Sequence, residues 1–215
     1  MHKSVSNLVI IQKQIEEITS SKVTLIAVTK MFGENNILPI LDYGHKHFAE
    51  NKVQEAMIKW PSLKKKYKNI QLHLIGKLQT NKVKFALPLF DYIHSLDNIK
   101  LAKKISHAQD KINFKPKIFI QVNIGNENQK NGIDEKDLNL FFETCKNELK
   151  LNIIGLMCIP PNDNMTVSYF KMLKNLNDKC ELKELSMGMS ADYLDAIKYG
   201  STHVRIGSRI FGQRS

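Results

Sequence analysis

The most constraining feature of this chain is an alternation. Short runs rich in β-branched and aromatic residues alternate with longer stretches whose apolar residues recur at helical spacing. The β-rich runs are 23–29, 45–50, 71–76, 92–96, 117–123, 153–159, 184–187 and 203–207. Strand-like runs alternating with helical periods argue for crossover units and a parallel sheet. A helical stretch with Leu8, Ile11, Ile15 and Ile18 on one face precedes the first run. Eight such units favour a single (β/α)8 barrel over residues 1–215, with an extra N-terminal helix. A doubly wound open sheet also absorbs these elements, so the count alone leaves both topologies open.

Smaller signals fix the helices. Gly44 and Gly200 read as C-caps, and Asp134 as an N-cap. Pro39 is expected in the first turn of its helix. One helix is expected over about 79–87, and another from near Asp192.

Composition narrows the function. With 215 residues and 42% hydrophobic content, the chain suits one domain with a sizeable core. No apolar run approaches the roughly 20 residues that span a bilayer. Cys145, Cys158 and Cys180 form no CxxC and read as buried, reduced thiols of a cytoplasmic protein. The formal charge of +11 invites a nucleic-acid reading. We discount it, because lysine, asparagine and isoleucine are abundant together, as in a compositional bias. The dense cluster Lys64-Lys65-Lys66-Tyr67-Lys68 falls at a helix C-terminus, where it favours the dipole.

The strand ends carry the chemistry. Lys30 closes the apolar run Val23–Thr29. A partly desolvated amine there can be neutral and nucleophilic near pH 7. Glu50-Asn51, Gly76, Ser95, Asn123, 186–190 and 205–208 end other runs. In a barrel all of these face one mouth. Gly188 and Ser190 lead into a helix, and Gly207 and Ser208 end the last strand in the same way. Glycine nests and helix N-termini bind phosphate, and barrels commonly clamp phosphate after strands seven and eight. A phosphorylated aldehyde suits this pattern; a sugar phosphate in a class I aldolase-like site would use the same residues. The seven histidines show no metal-ligand spacing. His73 and His94 read as hydrogen-bonded barrel residues. Glu50 reads as an acid/base or as a structural carboxylate bonded to loop N–H groups.

These motifs also carry a resemblance. Ala27-Val28-Thr29-Lys30, Phe48-Ala49-Glu50-Asn51 and His73-Leu74-Ile75-Gly76-Lys77-Leu78-Gln79-Thr80-Asn81-Lys82 occur in order. Leu185-Ser186-Met187-Gly188-Met189-Ser190-Ala191-Asp192 and the segment 200–212 follow. Together they are similar to the YggS/PROSC family of pyridoxal 5′-phosphate (PLP) homeostasis proteins, itself similar to the barrel domain of bacterial alanine racemase. The resemblance implies a PLP cofactor held as a Schiff base on Lys30. Ser190, Gly207 and Ser208 match the phosphate-binding positions, Arg205 the arginine facing the pyridine nitrogen, and Asn51 a position near the ring. It implies a protein that holds PLP without efficient catalysis, with PLP-dependent apo-enzymes as possible recipients. The alternative is a PLP-dependent amino-acid racemase. Two-base racemisation needs an acid/base on each face of the substrate. Alanine racemases take the second from an added β-domain and a partner subunit. A chain ending at Ser215 leaves no room for that domain, which favours a monomer without efficient turnover.

The chain departs from the family pattern at several positions. Ala49 and Lys52 replace the usual residues around Glu50-Asn51, and Phe32 and Gly33 stand where many relatives carry a second lysine and a proline. Lys130 matches another family lysine, and reads here as a solvated loop residue, the alternative being a secondary PLP acceptor.

Overall fold

The computed structural model describes residues 1–125 and 131–213. Helix α1 (Lys3–Ile18) precedes β1 (Thr24–Val28), α2 (Glu34–Asp42), β2 (His47–Glu50), α3 (Val53–Lys66) and β3 (Gln71–Leu74). Then come α4 (Val83–Ala86), β4 (Tyr92–Leu96), α5 (Ile99–Ile112), β5 (Lys117–Gln121), α6 (Glu135–Glu143) and β6 (Ile153–Met157). The chain continues with α7 (Thr166–Lys179), β7 (Glu184–Met189), α8 (Tyr193–Lys198), β8 (His203–Ile206) and α9 (Ser208–Phe211). The strands are parallel and close in chain order, with β8 pairing back onto β1. This is the (β/α)8 barrel, and the open-sheet alternative is excluded.

Strand residues divide by side. Leu25, Ala27, Phe48, Leu72 and Leu74 join the continuous core between strands and helices. Inside the barrel, Ile26, Val28 and Ala49 form one small apolar cluster, and Tyr92, Phe119 and Met157 another. Polar residues take much of the remaining interior: His73, His94, Ser186, His203 and Arg205 are all buried. A barrel usually fills its interior with branched apolar side chains, so this polar lining needs its own account.

Helix α1 has a defined job. The helix after β8 has only four residues, too short to cover its share of the barrel. Helix α1 packs against α2, α8 and α9, burying Val5, Leu8, Ile11 and Ile15. Asn7 Nδ2 donates to the Ile210 carbonyl at 3.0 Å, and the Tyr193 hydroxyl donates to Gln14 Oε1 at 2.5 Å.

Three local expectations change. Pro39 sits at the sixth position of α2, not in its first turn. The missing N–H is tolerated because Ile37, Ile40 and Leu41 anchor the helix in the core. The stretch 79–87 is a 3₁₀ turn (Thr80–Lys82) followed by the single turn α4, ahead of Pro88, which has no N–H to extend the ladder. Strand β7 runs two residues further than expected, through Gly188 to Met189. Among the described residues no helix is long and apolar enough to cross a membrane.

Candidate functional site

Strand order brings the candidate residues together. Strands β7, β8, β1 and β2 are consecutive neighbours in the barrel wall. Ser190 directly follows β7, Gly207 and Ser208 follow β8, Lys30 lies two residues past β1, and Asn51 directly follows β2. Arg205 is the third residue of β8, opposite Ile26 of β1 and Met189 of β7. All six therefore occupy one arc of the C-terminal mouth.

Glycines let the elements of this arc pack closely. Gly188 has φ +93°, and a Cβ there would lie 2.6 Å from Ala196 Cβ. Gly207 rests against β1: its Cβ would meet the Val28 carbonyl oxygen at 3.2 Å. That contact fixes the loop after β8 beside the strand that leads to Lys30. A turn of helix opening at Ser208 leaves its first N–H groups without intrahelical acceptors. They are available to an anion.

Arg205 is 4% exposed. Its Nη1 donates to Ser186 Oγ at 2.6 Å and its Nη2 to the Cys158 carbonyl at 2.8 Å. Burial lowers its pKa, with Cys158 and Asp192 acting against that shift. It carries no direct carboxylate contact among the described residues. An arginine stays charged under these conditions, so its guanidinium presents positive charge to the interior.

A second buried cluster supports the lysine from behind. Glu50 is fully buried, and its Oε1 accepts from Thr29 Oγ1 (2.7 Å), Lys59 Nζ (2.8 Å) and Trp60 Nε1 (3.0 Å). Burial raises the Glu50 pKa against the pull of these donors. Lys59 Nζ also donates to the Thr29 carbonyl at 2.9 Å and to Glu55 Oε1 at 3.0 Å. Glu55 Oε1 in turn accepts from the Met31 N–H at 2.7 Å, where the backbone turns through φ +66°. Thr29 and Met31, the two neighbours of Lys30, are thus both pinned by α3. Glu50 is a structural carboxylate here, bonded by three side chains and not by loop N–H groups. Sequence reading missed Lys59 and Trp60. The only local hint was the Glu55–Lys59 spacing of four on one helix.

Other candidates lie apart. Cys145, Cys158 and Cys180 are free and buried, and burial pushes the Cys145 and Cys158 thiols up to about 12. Phe32 packs against Phe211, the rings tilted by 32° with centroids 4.8 Å apart, so the place of the second lysine is taken by a packing residue. Lys130 lies outside the described residues. No group of three His, Cys, Asp or Glu among the described residues is placed to hold a metal.

The family of alanine racemase N-terminal domains matches residues 6–215. A pyridoxal phosphate homeostasis protein of Aquifex aeolicus is 37% identical, over 88% of this chain and 86% of its own. One from Haemophilus influenzae is 34% identical, over 97% and 95%. Among solved structures, PipY of Synechococcus elongatus with PLP bound superposes with a TM-score of 0.87 at 30% identity, over 97% of this chain and all of its own. Alanine racemase of Clostridium difficile shares the fold at 12% identity and a TM-score of 0.74, with this chain spanning 57% of it. A closed parallel barrel with these strand ends, matched over nearly its whole length, places the chain in the pyridoxal phosphate homeostasis protein family, on the alanine racemase N-terminal domain fold.

Proposed function

We propose that this protein binds PLP at the C-terminal mouth of its barrel, as a Schiff base on Lys30, and serves PLP homeostasis by holding and releasing it without efficient catalysis. The observation that carries the reading is the contiguous arc β7-β8-β1-β2, with Lys30, Arg205 and the Ser190, Gly207 and Ser208 loops on adjacent strands. The arc fits the cofactor's parts. The free N–H groups that open the turn at Ser208, with the hydroxyls of Ser190 and Ser208, suit a phosphate. Arg205 suits the pyridine nitrogen, Asn51 the ring, and Lys30 the aldehyde, with loss of one water on attachment. PLP supplies an electron sink when its ring nitrogen is protonated. A permanently charged Arg205 disfavours a proton there and weakens that sink. Holding the cofactor then suits this site better than carbanion chemistry. The relatives' names and the PLP-bound PipY support the same reading. We place the protein in the cytoplasm, where its three free thiols would stay reduced, and take it to act as a monomer that passes PLP to apo-enzymes.

The test is a visible spectrum of protein incubated with PLP, then borohydride reduction and peptide mapping. The expected result is a yellow protein with a pyridoxyl group on Lys30, abolished in Lys30→Ala. A colourless, unmodified protein overturns the reading. Robust racemisation of alanine or another common amino acid overturns its non-catalytic half.

A further inference from the structure

The barrel interior carries a line of polar groups from Arg205 to the opposite mouth. Ser186 Oγ, which accepts from Arg205, lies 2.8 Å from His94 Nδ1. His94 Nε2 lies 2.9 Å from His73 Nδ1. His73 Nε2 lies 3.1 Å from His47 Nδ1. Ser186, His94 and His73 are fully buried. His47 opens β2 at the N-terminal mouth and borders a groove of about 790 Å³. The rings are held in place: His73 stacks on Tyr92 at 4.0 Å and His94 on Phe119 at 4.4 Å.

The chemistry of the two ends gives this line a direction. Arginine can only donate. Ser186 Oγ therefore spends a lone pair on Arg205 Nη1, and its own proton has one acceptor among the described residues, His94 Nδ1. If His94 donated instead, a buried hydroxyl proton would be left unpaired, which is costly. His94 then carries its proton on Nε2 and gives it to His73 Nδ1. His73 repeats the pattern toward His47 Nδ1. Both buried rings are neutral and point the same way. Burial, which lowers the pKa of His73 and His94 well below the ordinary value, agrees with neutral rings. A neutral imidazole with its bare nitrogen toward Arg205 turns the negative end of its dipole to the guanidinium. Two aligned rings thus offset part of a buried charge that has no carboxylate in direct contact, Asp192 acting on it only from a distance.

We propose that Ser186, His94, His73 and His47 form a one-directional chain of hydrogen bonds that positions Arg205 and compensates its charge, linking the C-terminal mouth to the N-terminal one. The four are positioning residues. The consequence for the cofactor rests on the placement of Arg205 at its ring; the direction of the chain does not.

The experiment is therefore made without PLP. Histidine nitrogens of the full chain are observed by ¹⁵N NMR near neutral pH. The expected result is a bare Nδ1 and a protonated Nε2 on both His73 and His94, with couplings across the His94–His73 and His73–His47 contacts. Ser186→Ala removes the group that passes on the direction, so His94 should lose its single tautomer. Ser186→Thr keeps the hydroxyl and should restore it. Amide spectra check that each variant is folded. A proton on Nδ1 of either buried ring in the unaltered protein, a doubly protonated ring, or an unchanged tautomer pattern in a folded Ser186→Ala overturns the proposal. The unaltered protein decides it even if the variant fails to fold. A failure of PLP to bind would count against the proposed function and leave this chain standing.

Discussion

Gly188 shows how much one residue can be asked to do. Its φ of +93° disfavours any side chain, and a methyl group would lie 2.6 Å from Ala196 Cβ. Gly188→Ala is expected to cost about 1–3 kcal/mol, read from urea denaturation. Adding Ala196→Gly should not restore the loss, because the Tyr193 Cα also lies 3.0 Å from the added methyl and a glycine inside α8 costs about 1 kcal/mol of its own. Lys59 is the second case. It is 7% exposed and pairs with a fully buried Glu50. Lys59→Met would strand that carboxylate at a cost of about 3 kcal/mol. It would also free the Thr29 carbonyl beside Lys30. The expected outcome is a lower urea midpoint together with weaker PLP binding by absorbance titration. Loss of stability with unchanged PLP affinity would show that Thr29 does not need the anchor.

At the scale of elements, α1 covers the flank of the barrel beside the four-residue α9. Leu8 is fully buried in that role. Leu8→Ala should destabilise the protein by about 2–5 kcal/mol, as a core substitution does, and thermal or urea unfolding would measure it. A value within about 0.5 kcal/mol of zero, typical of surface positions, would mean that α1 is a detachable arm. The apolar period of α1 was legible because Leu8, Ile11 and Ile15 line one face. Its packing partners were not. Contacts with α8 and α9 join distant segments, Asn7 and Ile210 being 203 residues apart, and no local pattern encodes them.

For the molecule as a whole, three buried histidines (His73, His94 and His203) and two partly exposed ones (His45 and His47) set the response to acid. Burial lowers His45 and His47 to about 4 and His203 to about 3, and His73 and His94 well below their ordinary value. An unfolded chain binds protons at these rings near pH 6.5. Between that value and the folded ones the unfolded state holds more protons, so stability falls as pH falls through the window. Above pH 6.5 the contribution is full and flat. Glu50 acts in the opposite sense: its raised pKa adds stability below its ordinary value, lost as pH rises through the raised one. Five rings against one carboxyl make the acid loss dominate. Urea midpoints should be level from pH 7 to 8 and drop steadily from about 6.5 to 4, with unfolding near pH 5 taking up close to one proton per ring. A midpoint independent of pH across this range would refute the lowered pKa values of these rings.

The sequence by itself determined the strand–helix alternation and the polar residues and glycines near the strand ends. Each is written in neighbouring residues: a β-rich run, a turn, a cap. Tertiary structure alone decided that the sheet closes, and everything that follows from closure. His47, His73, His94 and Ser186 stand on β2, β3, β4 and β7, and each looks in isolation like an ordinary inward position. His94 and Ser186 are 92 residues apart and lie on strands that are not neighbours. Only a closed barrel turns both across one interior, because closure makes distant strands face each other over a space about one side chain wide.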